Sequence, residues 1–389
     1  MDRKVYCDHA ATSPAFPEVI TGMAECMTNI IGNPSSIHSF GRAAKERLEN
    51  ARGQVADLIG AFPEEVFFTS GGTEADNLAL FGTMARFPEG GHLITTPIEH
   101  AAVLETCQYL AGHGYDVTYL PVDTEGRVNA EDVKKALRPD TRLISVMHVN
   151  NEVGTIQPVE EIAAIAREAN VVFHVDAVQS LGRIEVDVNK IGCDFMTISS
   201  HKINGPKGVG VLYCKNGSKL VRRAYGGGQE HKLRSGTENL PGIVGMGIAA
   251  SITKEIWRQR ATANRLMRDH LLNRILKEIP YSYVNGSLTD RVPHNLHVSF
   301  SYIEGEALLL HLDMKGIAVS SGSACSSGSG EPSHVLRAMH LPAERLQAAL
   351  RITIGQGNTM EDMDYVADIM AAKVGLLRQL SPFMPREAK

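Results

Sequence analysis

The chain has 389 residues, 43% hydrophobic and 21% charged, which is enough apolar material for a sizeable core and too little charge for a disordered chain. Its formal net charge of −5 comes from 39 basic against 44 acidic residues with no stripe of lysine and arginine, which excludes a polyanion-binding surface. The N-terminal MDRKVYCDHAATSP has no apolar stretch of signal-peptide type, and no window reaches the roughly 18 apolar residues of a membrane span, so two domains in a cytoplasmic protein are expected.

Short β-branched and aromatic runs recur at 65–70 (EVFFTS), 92–96, 116–120, 142–149, 171–176 (VVFHVD), 194–200 and 208–214 (GVGVLYC). Most are followed by a helical pattern of ten or more residues. Strands alternating with helices predict a largely parallel sheet covered on both faces, the α/β class. A Gly-rich passage at 225–242 leads into a long helical pattern ending near 279. From 295 the strands NLHVSF, GIAVSS and LRITI interleave with helical patterns near 304–314, 331–340 and 359–380, which predicts a smaller C-terminal α/β domain. The boundaries expected are 15–260 for the large domain, with 1–14 and 261–389 forming the small one.

In such sheets ligands sit beyond the carboxyl ends of the strands. Polar residues cluster at four of those ends: Ser70-Gly71-Gly72-Thr73-Glu74, Asn150-Asn151-Glu152, Asp176-Ala177-Val178-Gln179 and Ser200-His201-Lys202. Gly71-Gly72-Thr73 opens a helix directly after a strand, which makes either an anion cup or an ordinary tight turn. Asp176 is either a cap or a carboxylate able to hold a protonated ring nitrogen, and Gln179 shares its turn. Lys202 is either a solvated amine or, if a crevice desolvates it, a nucleophile able to form a Schiff base. His100 has a structural reading and an aromatic-stacking one. Together they supply a phosphate seat, a ring-nitrogen partner, an aldehyde-trapping amine and a flat ring, the needs of pyridoxal 5′-phosphate.

Six cysteines, Cys7, Cys26, Cys107, Cys193, Cys214 and Cys325, are scattered with no C-x-x-C pair, which argues against a zinc site or a disulfide framework. Five have apolar or helical neighbours. Cys325 alone stands in a loop of Ser and Gly, SSGSACSSGSG, expected to span about 318–333.

The motifs Tyr6-Cys7-Asp8-His9-Ala10-Ala11-Thr12, Thr69-Ser70-Gly71-Gly72-Thr73-Glu74, His174-Val175-Asp176-Ala177-Val178-Gln179, Ser199-Ser200-His201-Lys202, Gly226-Gly227-Gly228-Gln229-Glu230, Arg234-Ser235-Gly236-Thr237 and Ser321-Gly322-Ser323-Ala324-Cys325 resemble, in order, those of the cysteine desulfurases of the NifS/IscS type. The resemblance runs over essentially the whole chain and implies the pyridoxal-phosphate-dependent fold type I, with a seven-stranded sheet. It further implies that Lys202 tethers the cofactor and later moves the Cα proton, with Asp176 on the pyridine nitrogen, Gln179 on the ring hydroxyl and His100 stacked on the ring. Gly72, Thr73, Ser199 and His201 would hold the phosphate, with Thr237 reaching in from the second subunit of a homodimer. Asn151 and Arg351 would lie at the substrate, with Arg351 gripping its carboxylate.

The resemblance also gives Cys325 a role: as a thiolate it would take sulfur from L-cysteine as a persulfide and release alanine, and no metal is implied. Cys325 stands 26 positions before Arg351, which resembles the long-loop group and implies transfer to a protein acceptor such as an iron-sulfur scaffold. His9 stands where the family often has Asn, and the tail after Leu380-Ser381-Pro382 diverges. The alternatives are an aminotransferase or another lyase of the same fold, acting on selenocysteine or cysteine sulfinate, and a non-catalytic sulfur carrier. A mobile thiol distinguishes the first and an aldehyde-trapping lysine the last.

Overall fold

In the computed structural model, which describes residues 3–322, 332–382 and 384, the chain starts with a two-residue strand, β1 (Val5–Tyr6). Helices α1 (Pro17–Asn29) and α2 (Ser39–Ile59) follow. The His38 ring accepts the Gly41 N–H at the start of α2, and Gly60, in the left-handed region at φ 72°, ends it.

All seven strand runs form the central sheet: β2 (Val66–Thr69), β3 (His92–Thr95), β4 (Asp116–Tyr119), β5 (Thr141–Ser145), β6 (Val172–Asp176), β7 (Phe195–Ser199) and β8 (Gly210–Cys214). Their order is β2-β8-β7-β6-β5-β3-β4, and β8 alone runs against its neighbours. The carboxyl ends of β2, β3, β5, β6 and β7 therefore share one edge. The run at 142–149 is a strand only as far as Ser145; the Val146 and His148 amides still donate to the His174 and Asp176 carbonyls of β6, and beyond them the Asn150 side chain caps the Glu152 and Val153 amides.

Helices α3 (Gly72–Met84), α4 (Ala101–Ala111), α5 (Ala130–Ala136), α6 (Val159–Glu168) and the single-turn α7 (Val188–Ile191) fill the crossovers. Side-chain alternation along the strands splits the core into two layers. Leu93, Leu143, Phe195 and Leu212 pack with Leu78 of α3 and Val103 of α4. Their neighbours Ile94, Ile144, Met196 and Val211 belong to the larger cluster on the opposite face, with α1 and α2.

The long helix α8 (Leu240–Glu278) joins two cores, placing Leu240, Ile243 and Met246 in the large one and Met267, Leu271 and Ile275 in the C-terminal one. The C-terminal part contains β9 (Ser282–Val284), β10 (Asn295–Phe300), α9 (Gly305–Asp313), β11 (Ile317–Ala318), α10 (His334–Ala338), α11 (Ala343–Leu346), β12 (Ala349–Thr353) and α12 (Met360–Leu380). Its antiparallel sheet has the order β12-β10-β9. The GIAVSS run meets that sheet through a single Ser320–Arg351 bridge; its strand β11 pairs in parallel with β1, which carries the N-terminus into the C-terminal core through Val5 and Cys7. The described part of the 331–340 run is the short α10. No helix among the described residues is long and apolar enough to cross a membrane.

Candidate active site

The candidate phosphate seat begins at Gly71, the N-cap of α3, which has no side chain to occupy the first amides of the helix. A Cβ on Gly72 would meet Val178 Cγ2 at 3.2 Å and Ser199 Cβ at 3.7 Å, so the ends of β2, β6 and β7 close tightly around this helix start. Thr73 is exposed at its rim, and Glu74 accepts the Ser70 N–H at 2.7 Å. His201 lies half-buried after β7, with Nδ1 3.1 Å from Thr12 Oγ1. Burial, then Lys202 and Lys207, push its pKa down to about 4, so its ring is neutral near pH 7.

Asp176 ends β6 with its carboxyl buried, and Oδ1 accepts the Val178 N–H at 2.9 Å. Burial raises its pKa, while His100, the Val178 amide and Lys202 lower it. His100 shows the reciprocal pattern, lowered by burial, raised by Asp176 and lowered by Lys202 and His334. The fold thus brings Asp176, His100 and Lys202 from three separate strand ends into electrostatic contact. The structural reading of His100 holds: Nδ1 accepts the Ala102 N–H at 3.2 Å as the N-cap of α4, which puts the proton of the neutral ring on Nε2. Asp176 is likewise a turn cap.

Lys202 is half-buried and donates to the Ala10 and Ala11 carbonyls at 2.6 and 2.7 Å, and the Gln179 amide donates to Ala10 O at 3.0 Å. Arg351, on β12 and 2% exposed, reaches the same crevice from the C-terminal part. Its Nη1 donates to Asn151 O at 2.8 Å and its Nη2 to Asp8 Oδ1 at 3.0 Å, while Nε has no partner among the described residues. The buried Asn151 Oδ1 is also unpartnered there. Thr237 is exposed in the connection before α8, away from these contacts within the chain, and Cys325 lies outside the described residues. Of the other thiols, Cys7, Cys26, Cys107 and Cys193 are buried and Cys214 half-buried, and burial raises the pKa of each, so they stay protonated at neutral pH.

Asp8, Ala10 and Ala11 lie in the first motif, where nothing in the sequence marks a role for them. A carboxylate that holds Arg351 and two carbonyls that receive Lys202 become visible only when β1 docks beside β11. The carboxyls behind the site were equally unmarked. Asp76 is fully buried and raised by burial and by Asp176, with Oδ1 3.5 Å from His174 Nε2; Glu99 is pushed up to about 8, mainly by burial.

The residues present fit pyridoxal phosphate. The uncapped helix start suits its phosphate, and the orphaned Asn151 Oδ1 and the half-buried amine of Lys202 suit its ring and aldehyde. Burial raises the pKa of Asp176, and a cation beside it, such as a protonated pyridine, would favour its ionised form. The chain belongs to the aminotransferase class-V family, whose model matches residues 5–366, a class of pyridoxal-phosphate-dependent fold type I enzymes. Within that class it falls among the cysteine desulfurases. It is 48% identical to the cysteine desulfurase IscS of Dictyoglomus turgidum over 98% of both chains. Its structure is similar to that of a NifS-like protein, with TM-score 0.91 and 38% identity over 96% of this chain and 100% of the other. It also resembles SspA in complex with cysteine, at TM-score 0.81 and 37% identity over 90% and 98% of the two chains.

Proposed function

We propose that the protein is a pyridoxal-phosphate-dependent cysteine desulfurase that converts L-cysteine to L-alanine and passes the sulfur through Cys325 to a protein acceptor. The observation that carries this reading is the meeting, at one sheet edge, of Lys202, Asp176 and His100 with Arg351 from the C-terminal part. Gly72, Thr73, Ser199 and His201 would hold the phosphate, Gln179 and Asn151 would contact the cofactor, and Thr237 would complete the seat of a second copy in a homodimer. The large domain is taken as 15–260, and 1–14 with 261–389 as the small one.

When bound, the cofactor accepts the electrons released at the substrate's Cα and so weakens the Cβ–Sγ bond. Arg351 orients the substrate. A carboxylate entering the crevice meets the unpartnered Nε, and the Asn151 carbonyl and Asp8 hold the guanidinium plane in place behind it. The Lys202 amine, kept against the Ala10 and Ala11 carbonyls, is within reach to tether the cofactor and then to move the Cα proton. His100 Nε2–H would be a neutral donor beside the bound cofactor.

Cys325, as a thiolate, attacks the substrate sulfur. The Cβ–Sγ bond breaks, its electron pair stays on carbon and is protonated to give alanine, and the enzyme keeps a persulfide. One cysteine thus yields one alanine and one transferable sulfur. An iron-sulfur scaffold is the acceptor class proposed here.

Incubation of the loaded protein with L-cysteine and a thiol reductant is expected to give alanine and sulfide in equal amounts, with an added sulfur on Cys325 by mass spectrometry before reduction. Pyruvate with ammonia would instead assign an eliminating lyase and overturn the reading.

A further inference from the structure

The Asn150-Asn151-Glu152 turn places a third side chain, Glu152, whose carboxyl is fully buried and which the reaction above does not use. Its backbone is fixed: Asn150 Oδ1 accepts the Glu152 and Val153 N–H groups at 2.9 Å each, and the Asn295 amide donates to Glu152 O at 2.9 Å. From that rigid turn the carboxyl reaches both ends of the segment that carries Cys325. On one side, Ser333 Oγ donates to Glu152 Oε2 at 2.5 Å. On the other, Gly322 approaches so closely that a Cβ there would lie 3.1 Å from the same Oε2. Gly322 has φ 140°, a conformation that already favours glycine.

We infer that Glu152 is a positioning residue for the acceptor thiol: one buried carboxyl holds the Ser333 root by a hydrogen bond and lies against the Gly322 root, the two between which the chain carries Cys325. This rests on the reading of Cys325 given above. The hydrogen-bond chemistry at Ser333 makes the contact directional. Its oxygen accepts the Val335 and Leu336 N–H groups at 3.1 and 3.3 Å to cap α10, so its single proton goes to Glu152. The other root is tied independently, because Ser320 exchanges both backbone hydrogen bonds with Arg351 and its hydroxyl donates to Gly322 O at 3.1 Å. The substrate arginine and the thiol's roots are therefore referred to one frame. A carboxyl buried with Oε1 unpartnered among the described residues is costly to keep, and a purely packing position would be filled more stably by an apolar side chain.

Steady-state kinetics of the loaded enzyme, with iodoacetamide labelling of Cys325 read by mass spectrometry, test this. Glu152→Ala is expected to lower kcat about tenfold, the worth of one charge-assisted hydrogen bond. KM for L-cysteine and cofactor content should stay within twofold, and the labelling rate should change by threefold or more. Glu152→Gln, whose carbonyl still accepts from Ser333, should stay within about threefold of the parent. Ser333→Asp keeps the helix cap but sets two carboxylates together, so it should behave as Glu152→Ala. Adding Glu152→Gln to Ser333→Asp should restore kcat and labelling to within about threefold, because the Gln amide then donates to the Asp.

The inference is overturned if Glu152→Ala keeps the parental kcat, or if the double variant is no better than Ser333→Asp alone; the second comparison decides if Glu152→Ala fails to fold. Failure of the unsubstituted protein to release alanine from cysteine would instead strike the function and leave the labelling comparison to judge the contact.

Discussion

Arg351 is the side chain whose setting says most about the substrate. A guanidinium 2% exposed, whose side-chain hydrogen-bond partners among the described residues are one carbonyl and one carboxylate, keeps directed N–H capacity in a site of low water content. Arg351→Lys leaves a charge but loses the planar fork, so KM for L-cysteine is expected to rise about tenfold or more with cofactor content unchanged. Equal KM values would remove the carboxylate role. Lys202→Ala should give a protein that binds the cofactor reversibly, with no label fixed by borohydride, and with alanine formation lost. At this scale the sequence showed much: Lys202, Asp176, Gln179 and His100 all stand just past strands that could be read from their β-branched runs. The Asp8–Arg351 pair was not legible, because 343 positions separate its members and only the docking of β1 against β11 joins them.

At the scale of elements, the start of α3 and the Gly-rich passage before α8 share one anchor. Glu230, with φ 44°, buries its carboxylate against Arg52 of α2, with both oxygens 2.8 Å from guanidinium nitrogens, and also accepts the Phe68 N–H of β2 at 2.7 Å. The pair holds the passage leading to Thr237 beside the strand that feeds the phosphate seat. Removing one partner of such a pair leaves an uncompensated buried charge. Glu230→Ala is therefore expected to cost about 3–5 kcal/mol in denaturant unfolding, and to weaken cofactor binding as the passage loosens. Strand positions could be read from composition and period because the sheet is buried on both faces. Strand β8 running against its neighbours could not, since direction depends on which edge the connection returns to. The β1–β11 pairing was also hidden, as two-residue strands carry no period.

For the whole molecule, buried titratable groups set the response to acid. His9, His148, His174 and His297 are held by burial at about 3, 4, 3 and 3, whereas in the unfolded chain they take protons near 6.5. Their depressed values make a contribution that is fully present above pH 6.5 and lost as pH falls, because the unfolded state then binds more protons. Asp76 and Glu99, raised by burial, act the other way and favour the folded state over the range below their folded values. With His201 at about 4 and His294 also lowered by burial, the depressed histidines outnumber the raised carboxyls Asp76, Glu99 and Asp176, so unfolding free energy is expected to fall from pH 6 to pH 5 in urea titration, and a flat profile would contradict the burial of these rings.

The sequence by itself determined the α/β class, the seven strands and the chemistry gathered at their ends, because strand period, helix starts and residue type are local properties. Only the tertiary structure decided that Asp8, Arg351 and Lys202 share one crevice, and that a single buried carboxyl, Glu152, meets both Gly322 and Ser333. Those meetings depend on how two cores are joined through α8 and on where the N-terminal strand docks, and such long-range contacts leave no periodic trace along the chain.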